Sequence, residues 1–204
     1  VTVTEDAVIT EAGATLAGIH PGDQLTMEQL LYGLMLPSGN DAANAIADHI
    51  AGSTDAFVEK MNAKAKELGA THTHFVNANG LHSTDHYTTA YDLYLIFNEA
   101  LKLPLFCEII NAQSYTADYT DANGAAKQQV WKVGNWYLKG DCEAPEGVTV
   151  LGGKTGTTQA AGYCLIMASD GDDGKEYISI VLKSANRPSL YDNMTEILTK
   201  ISNK

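Results

Sequence analysis

Helical and extended patterns are segregated along this 204-residue chain, and that order restricts the fold more than any other single feature. Thr26-Met27-Glu28-Gln29 has the capping-box form, with Gln three residues after Thr, and it opens an apolar helix over residues 30–36. Pro37 stops that helix, and Ser38-Gly39-Asn40 makes a tight connection. An Ala-rich helix over 41–51 follows, with Ala43, Ile46, Ala47 and Ile50 on one face, and it ends at Gly52. Ser53 caps a third helix that runs through Phe57, Met61 and Leu68 to Gly69. A polar, turn-rich stretch over 71–87 leads to a helix from Thr89 that carries Leu93, Ile96, Phe97 and Leu101. Strand patterns then take over. Residues 114–120 and 128–133 form a hairpin about Asp121-Ala122-Asn123-Gly124. Three more strands cover 148–155, 162–169 and 176–184, the last two joined by Asp170-Gly171-Asp172-Asp173-Gly174. Residues 193–201 close the chain with helical spacing at Met194, Ile197, Leu198 and Ile201. Helices first, then antiparallel strands and a closing helix, predict an α+β fold.

Composition narrows what such a fold does. Hydrophobic residues make up 45% and charged residues 19%, enough apolar material for a core. The net charge of −12 repels a polyanion over most of the surface, and the twelve Lys and one Arg form no run, which excludes nucleic acid as a partner. No stretch approaches the roughly 20 apolar residues of a membrane span. Residues 1–20 have no basic start and apolar middle, so no signal peptide is read there. Cys107, Cys142 and Cys164 are widely spaced and lack any C-x-x-C. A Cys107–Cys142 disulfide and three free buried thiols both fit this spacing; the reading favours free thiols, with Cys164 a small core residue of its strand.

Two short motifs carry candidate chemistry. Lys154-Thr155-Gly156 lies at the end of a strand and is followed by Thr157. Lys supplies a positive charge and Thr a hydroxyl donor for a carboxylate. Gly has no side chain to keep a ligand backbone off the strand edge. Ser38-Gly39-Asn40 offers a hydroxyl for proton relay and an amide for a carbonyl, although Ser and Asn also suit a plain capping turn. Each tripeptide alone is common. In this order they match the second and third of three elements, Ser-x-x-Lys, Ser-x-Asn and Lys-Thr-Gly, used by penicillin-binding serine acyl-transferases and class A β-lactamases.

The flanking sequence makes the resemblance specific. HPGDQLTMEQLLYGLMLPSGNDAANAIADHIAG (20–52), MNAKAKELG with THFVNANGL (within 57–81), Thr88-Thr89-Ala90-Tyr91-Asp92-Leu93, and Gly153-Lys154-Thr155-Gly156-Thr157-Thr158 with Ala161-Gly162-Tyr163 resemble the low-molecular-mass penicillin-binding proteins, the serine-type D-alanyl-D-alanine carboxypeptidases. The resemblance implies the β-lactamase/transpeptidase-like fold, an antiparallel sheet flanked by helices. The cleft is then expected between the strand of Lys154 and the helical part carrying Ser38. It implies a substrate, peptidoglycan stem peptide ending in D-Ala-D-Ala, and acylation by β-lactam antibiotics. It also implies an extracytoplasmic location and no cofactor or metal. By resemblance, Ser38 joins the proton-transfer network, Asn40 binds the substrate amide, Lys154 polarises Ser38 and attracts the terminal carboxylate, Thr155 hydrogen-bonds that carboxylate, Gly156 leaves room for the peptide, and the Thr157 N–H is an oxyanion donor. Membrane attachment would need an anchor outside this chain.

The first of the three elements is missing. None of the nine serines has Lys three positions on, and only 37 residues precede Ser38. The expectation is a single domain over residues 1–204 that is incomplete at its N-terminus, without the nucleophile, the base Lys and the first strands of the sheet, and inactive by itself. A non-catalytic muropeptide-binding pseudoenzyme and a class A β-lactamase relative are the alternatives; the chain has no Glu-x-x-Leu-Asn, which speaks against the latter. Arg187, the only Arg, falls in a loop after the last strand, where it is either a carboxylate-binding group or an ordinary solvated charge. His72, His74, His82 and His86 gather near Asp85 without the spacing of a zinc signature. Trp131, Trp136 and Tyr137 read as core or groove-lining aromatics, and Asn135 as a candidate cleft residue.

Overall fold

The computed structural model describes residues 1–202, which fall into two compact units: Val1–Thr88 with Gln113–Val133, and Thr89–Ala112 with the chain from Gly134 onward.

In the first unit the capping box forms as the sequence dictates. Thr26 Oγ1 accepts from the Gln29 N–H at 3.1 Å, and Gln29 Oε1 accepts from the Thr26 N–H at 2.8 Å. Helix α1 (Met27–Met35) therefore begins at Met27, three residues before its apolar run. Helix α2 (Asn40–Ala51) ends at Gly52, whose φ of 78° suits a residue without Cβ. Helix α3 (Thr54–Glu67) starts where Ser53 Oγ accepts from the Ala56 N–H at 3.1 Å. Strands β1 (Ser114–Thr120) and β2 (Ala126–Lys132) pair antiparallel from Ser114↔Lys132 to Thr120↔Ala126. Asp121 Oδ1 holds the turn by accepting from the N–H groups of Asn123 and Ala125, and these two bonds lower its pKa.

The helices and the hairpin meet through aromatic residues. Trp131 is 2% exposed and donates its indole N–H to Ala17 O at 2.8 Å. A Cβ at Gly33 of α1 would come within 3.2 Å of the Trp131 ring, so the small residue lets helix and hairpin close on each other. Tyr32 of α1 stacks on Tyr115 of β1, centroids 3.8 Å apart. Leu30, Ala42 and Ala47 are fully buried, which explains why α2 is so rich in Ala.

The second unit is built on a sheet of order β3-β4-β5: β3 (Val148–Thr158), β4 (Gly162–Gly171) and β5 (Glu176–Ser184), all antiparallel. Its helices are α4 (Ala90–Ala100), α5 (Pro104–Asn111), the single turn α6 (Trp136–Lys139) and α7 (Arg187–Ser202). Leu165, Met167 and Val181 form a hydrophobic core with Leu190, Tyr191, Met194, Leu198 and Ile201 of α7. Alternation puts Gly152 and Ala168 on the opposite face, where α5 packs so closely that a Cβ at Gly152 would lie 2.2 Å from Ile110 O. The sheet thus carries helices on both faces, as an α+β fold of the expected type requires.

Several local expectations are corrected. Helix α5 was not anticipated; Pro104 begins it, in the first-turn position where a missing N–H is harmless. The closing helix begins at Arg187, six residues before the expected start. Asn186 Oδ1 accepts from the Ser189 N–H at 2.9 Å, and Pro188 is accommodated in the first turn. Arg187 is accordingly a helical residue and not part of a loop. The three cysteines are free, but each is only half-buried, Cys164 included, so none is a fully enclosed core thiol. Among the described residues no helix is long and apolar enough to cross a membrane.

Candidate active site

Ser38, Gly39 and Asn40 form the short link between α1 and α2. Leu36 caps α1 and Pro37 forbids its continuation. The chain then turns back through Ser38, which takes φ 61°, a left-handed conformation that a residue with a Cβ adopts at a cost. Gly39 follows because nothing larger fits: a Cβ there would lie 2.6 Å from Gly33 O and 2.8 Å from the Ala17 backbone nitrogen. Its N–H donates to Gly33 O, satisfying a carbonyl of the last turn of α1. Asn40 is 7% exposed. Its side-chain Nδ2 donates to Thr15 O at 2.9 Å and its backbone N–H donates to the same oxygen at 3.0 Å, which fixes the rotation of the amide.

The link is anchored from beneath by Asp41, 2% exposed. Asp41 Oδ1 accepts from the N–H groups of Ala17 at 2.7 Å and Ala42 at 2.9 Å, and Oδ2 accepts from Gly18 at 2.9 Å and Ile19 at 3.2 Å. Four backbone donors converge on one carboxylate at a helix N-terminus, where the helix dipole also favours negative charge. The residues that follow Thr15 are thereby fastened to the start of α2. Sequence reading missed both Thr15 and Asp41. An Asp in the first turn after Ser-x-Asn was a usable signal for the latter; Thr15, 23 positions before Ser38, left none.

Lys154, Thr155, Gly156 and Thr157 are consecutive on β3. That strand pairs with β4 on one side, and no strand pairs with its other edge among the described residues. Cross-strand register places Thr155 opposite Leu165 and Thr157 opposite Tyr163, on the α7 face. Lys154 opposite Ile166 and Gly156 opposite Cys164 lie on the other. Lys154 is half-buried and donates to Thr155 O at 2.7 Å; loss of hydration lowers its pKa to about 8. The glycines of β3 differ in kind. Cβ atoms at Gly152 and Gly153 would each approach a backbone carbonyl oxygen to 2.2 Å, whereas one at Gly156 would meet nothing within 4 Å among the described residues. Internal packing therefore demands the first two and leaves the third unexplained.

Of the remaining candidates, Arg187 is exposed and its guanidinium sits 6.0 Å from the Trp136 ring centroid, with Trp136 stacked on Tyr191 at 4.6 Å. Asn135 is a buried cap: its Oδ1 accepts from the Tyr137 N–H at the start of α6, and its Nδ2 lies 3.9 Å from Met167 Sδ. His74 Nδ1 contacts Asp85 O at 2.7 Å, and His86 packs edge-on against Phe75. Among the described residues no group of three or more His, Cys, Asp or Glu is arranged to hold a metal ion.

An α+β chain with Ser-x-Asn between two helices and Lys-Thr-Gly on a sheet edge has the architecture of the penicillin-recognising serine peptidases. The sequence model of the D-alanyl-D-alanine carboxypeptidase family matches residues 1–186, and the chain belongs to that family. It is 36% identical over 184 residues to a Streptomyces D-alanyl-D-alanine carboxypeptidase, covering 87% of this chain and 61% of that protein. It is 36% identical over 160 residues to a Bacillus subtilis one, covering 76% of this chain and 38% of that protein. The crystal structure of a Streptomyces DD-transpeptidase is similar at a TM-score of 0.87 with 34% identity, over 98% of this chain and 77% of the other. A Mycobacterium tuberculosis D-alanyl-D-alanine carboxypeptidase gives a TM-score of 0.81 with 32% identity, over 98% and 72%. The chain thus spans less than two thirds of the length of these two curated relatives.

Proposed function

We propose that this chain is the substrate-recognition part of a serine-type D-alanyl-D-alanine carboxypeptidase. It would act on peptidoglycan stem peptides outside the cytoplasm and be a target of β-lactams when the acylating serine is supplied. The observation that carries the reading is the edge of β3 that no strand pairs with among the described residues, where Lys154, Thr155 and Thr157 flank a glycine that internal packing does not require. A peptide laid along that edge extends the sheet by main-chain hydrogen bonds, and the absent side chain at Gly156 gives it room.

The roles follow from the chemistry of each group. The Lys154 ammonium attracts the C-terminal carboxylate of the peptide, and the Thr155 hydroxyl donates to it. Arg187 adds positive charge near that end. The N–H of Thr157 donates to the oxyanion of the carbonyl between the two D-alanines, worth about 3 kcal/mol in the transition state. Asn40 presents its amide to the peptide backbone, and Ser38 passes a proton toward the leaving nitrogen.

Since these 204 residues include no Ser-x-x-Lys, the chain alone binds D-Ala-D-Ala peptides and β-lactams without forming an ester. Mass spectrometry after incubation with benzylpenicillin tests this. An unchanged mass, with saturable peptide binding, is expected; a stable penicilloyl adduct on any of the nine serines contradicts the reading. A chain that binds no D-Ala-D-Ala peptide at all contradicts it equally.

A further inference from the structure

We infer that Thr15 is a positioning residue for the Ser-x-Asn motif, an inference that rests on the proposed role of Ser38 and Asn40 in peptide recognition. Thr15 lies in the loop before α1 and is exposed to solvent. It nevertheless engages both functional residues. Its hydroxyl donates to Ser38 O at 2.6 Å. Its carbonyl accepts from the Asn40 backbone N–H at 3.0 Å and from Asn40 Nδ2 at 2.9 Å. Asn40 Nδ2 also lies 3.4 Å from Thr15 Oγ1.

These contacts bear on the one part of the motif that is conformationally costly. Ser38 holds φ 61°, which a non-glycine residue keeps only when its surroundings over-determine it. Gly39 is confined sterically by Gly33 and Ala17, so the chain downstream of Ser38 has no slack. The Thr15 hydroxyl restrains the peptide unit that joins the two residues by donating to the Ser38 carbonyl. Through Ser38 and Gly39 this fixes where the serine hydroxyl projects. The two bonds to the Thr15 carbonyl do the same for the rotation of the Asn40 amide. Asp41, which binds the N–H groups of Ala17, Gly18 and Ile19, fastens the loop just after Thr15 to α2, so the clamp has a rigid base. The side-chain hydroxyl is the separable component, because valine has the same shape without it, while serine keeps it.

The test compares the chain with its Thr15→Val and Thr15→Ser variants. The readouts are the backbone chemical shifts of Ser38, the side-chain amide signals of Asn40, thermal stability, and affinity for an acyl-D-Ala-D-Ala peptide. For Thr15→Val the expected result is loss of the left-handed shift signature at Ser38 and a move of the Asn40 amide signals. The melting temperature should stay close to that of the parent, and peptide affinity should fall about tenfold or more, since small misplacements of reactive groups cost this much. Thr15→Ser should restore the Ser38 and Asn40 signals and the affinity. Unchanged Ser38 and Asn40 signals in Thr15→Val overturn the inference, as does failure of Thr15→Ser to restore them. If the unsubstituted chain binds no peptide, the proposed function fails, and the Ser38 and Asn40 signals still decide the role of Thr15.

Discussion

Replacing Asp41 with Asn exchanges one carboxylate oxygen for an NH2 group in a side chain that is 2% exposed, and the structure dictates what that exchange costs. Each oxygen serves two backbone donors, Ala17 and Ala42 on Oδ1, Gly18 and Ile19 on Oδ2. An Asn can keep its oxygen on one pair only. The NH2 then faces the N–H groups of the other pair, donor against donor, and no rotation about χ2 serves both. Hydrogen bonds to a charged group are worth about 1.5–3 kcal/mol each, so losing two removes roughly 3–6 kcal/mol. The whole stability of a domain is about 5–15 kcal/mol, so the loss is a large share of it. Urea unfolding followed by circular dichroism should show an unfolding free energy lowered by that amount, through a lower midpoint with an unchanged slope. Asp41→Asn should also be far costlier than neutralising an exposed carboxylate such as Glu59. A loss below about 1 kcal/mol would refute the claim that this carboxylate ties the loop at residues 17–19 to α2.

Three further predictions concern single residues. Gly156→Ala should leave the melting temperature within about 2 °C of the parent, because its Cβ meets nothing, yet weaken D-Ala-D-Ala peptide binding about tenfold; equal affinity would show that the peptide does not run past this position. The Lys154 pKa of about 8 lies below the 10.5 of an exposed lysine, so between those values the unfolded chain binds a proton that the native chain does not. Stability should therefore rise with pH across that window while affinity for the anionic peptide falls; calorimetric titrations from pH 7 to 10 check both, and a Lys154→Ala chain should show neither trend. The His86 pKa is lowered, first by burial and then by the neighbouring His74 and His82, and its Nδ1 has no hydrogen-bond partner among the described residues. Native-state protonation is thus disfavoured, so stability present above the ordinary value of 6.5 is lost as pH falls below it. Melting curves at pH 7 and pH 5 should separate less for His86→Gln than for the parent; identical separations would exclude His86 as the cause.

How much of this was legible in the sequence depended on the range of the interaction. Thr26-x-x-Gln29 predicted its helix start because a capping box is local, and the Asp121 turn predicted its hairpin for the same reason. Helix α5 escaped because only eight residues form it and its backbone lies close against β3, a partner far along the chain. Arg187 was misplaced because the helical spacing is apparent only from residue 193, whereas the Asn186 cap makes Arg187 and Pro188 first-turn residues. At the site, Lys154-Thr155-Gly156 and Ser38-Gly39-Asn40 stood out as contiguous tripeptides. Thr15 did not, since a hydroxyl donating across 23 positions leaves no periodicity or spacing to read. The contrast between Gly153 and Gly156 was likewise invisible until the distances from each missing Cβ were known.

Whether the free edge of β3 receives the peptide is decided by a heteronuclear NMR titration with an acyl-D-Ala-D-Ala peptide. The backbone amides of Thr155, Gly156 and Thr157 should all shift along a single, saturable binding isotherm. Signals of these three residues that stay still at saturating peptide, or that follow different dissociation constants, would contradict binding along this edge.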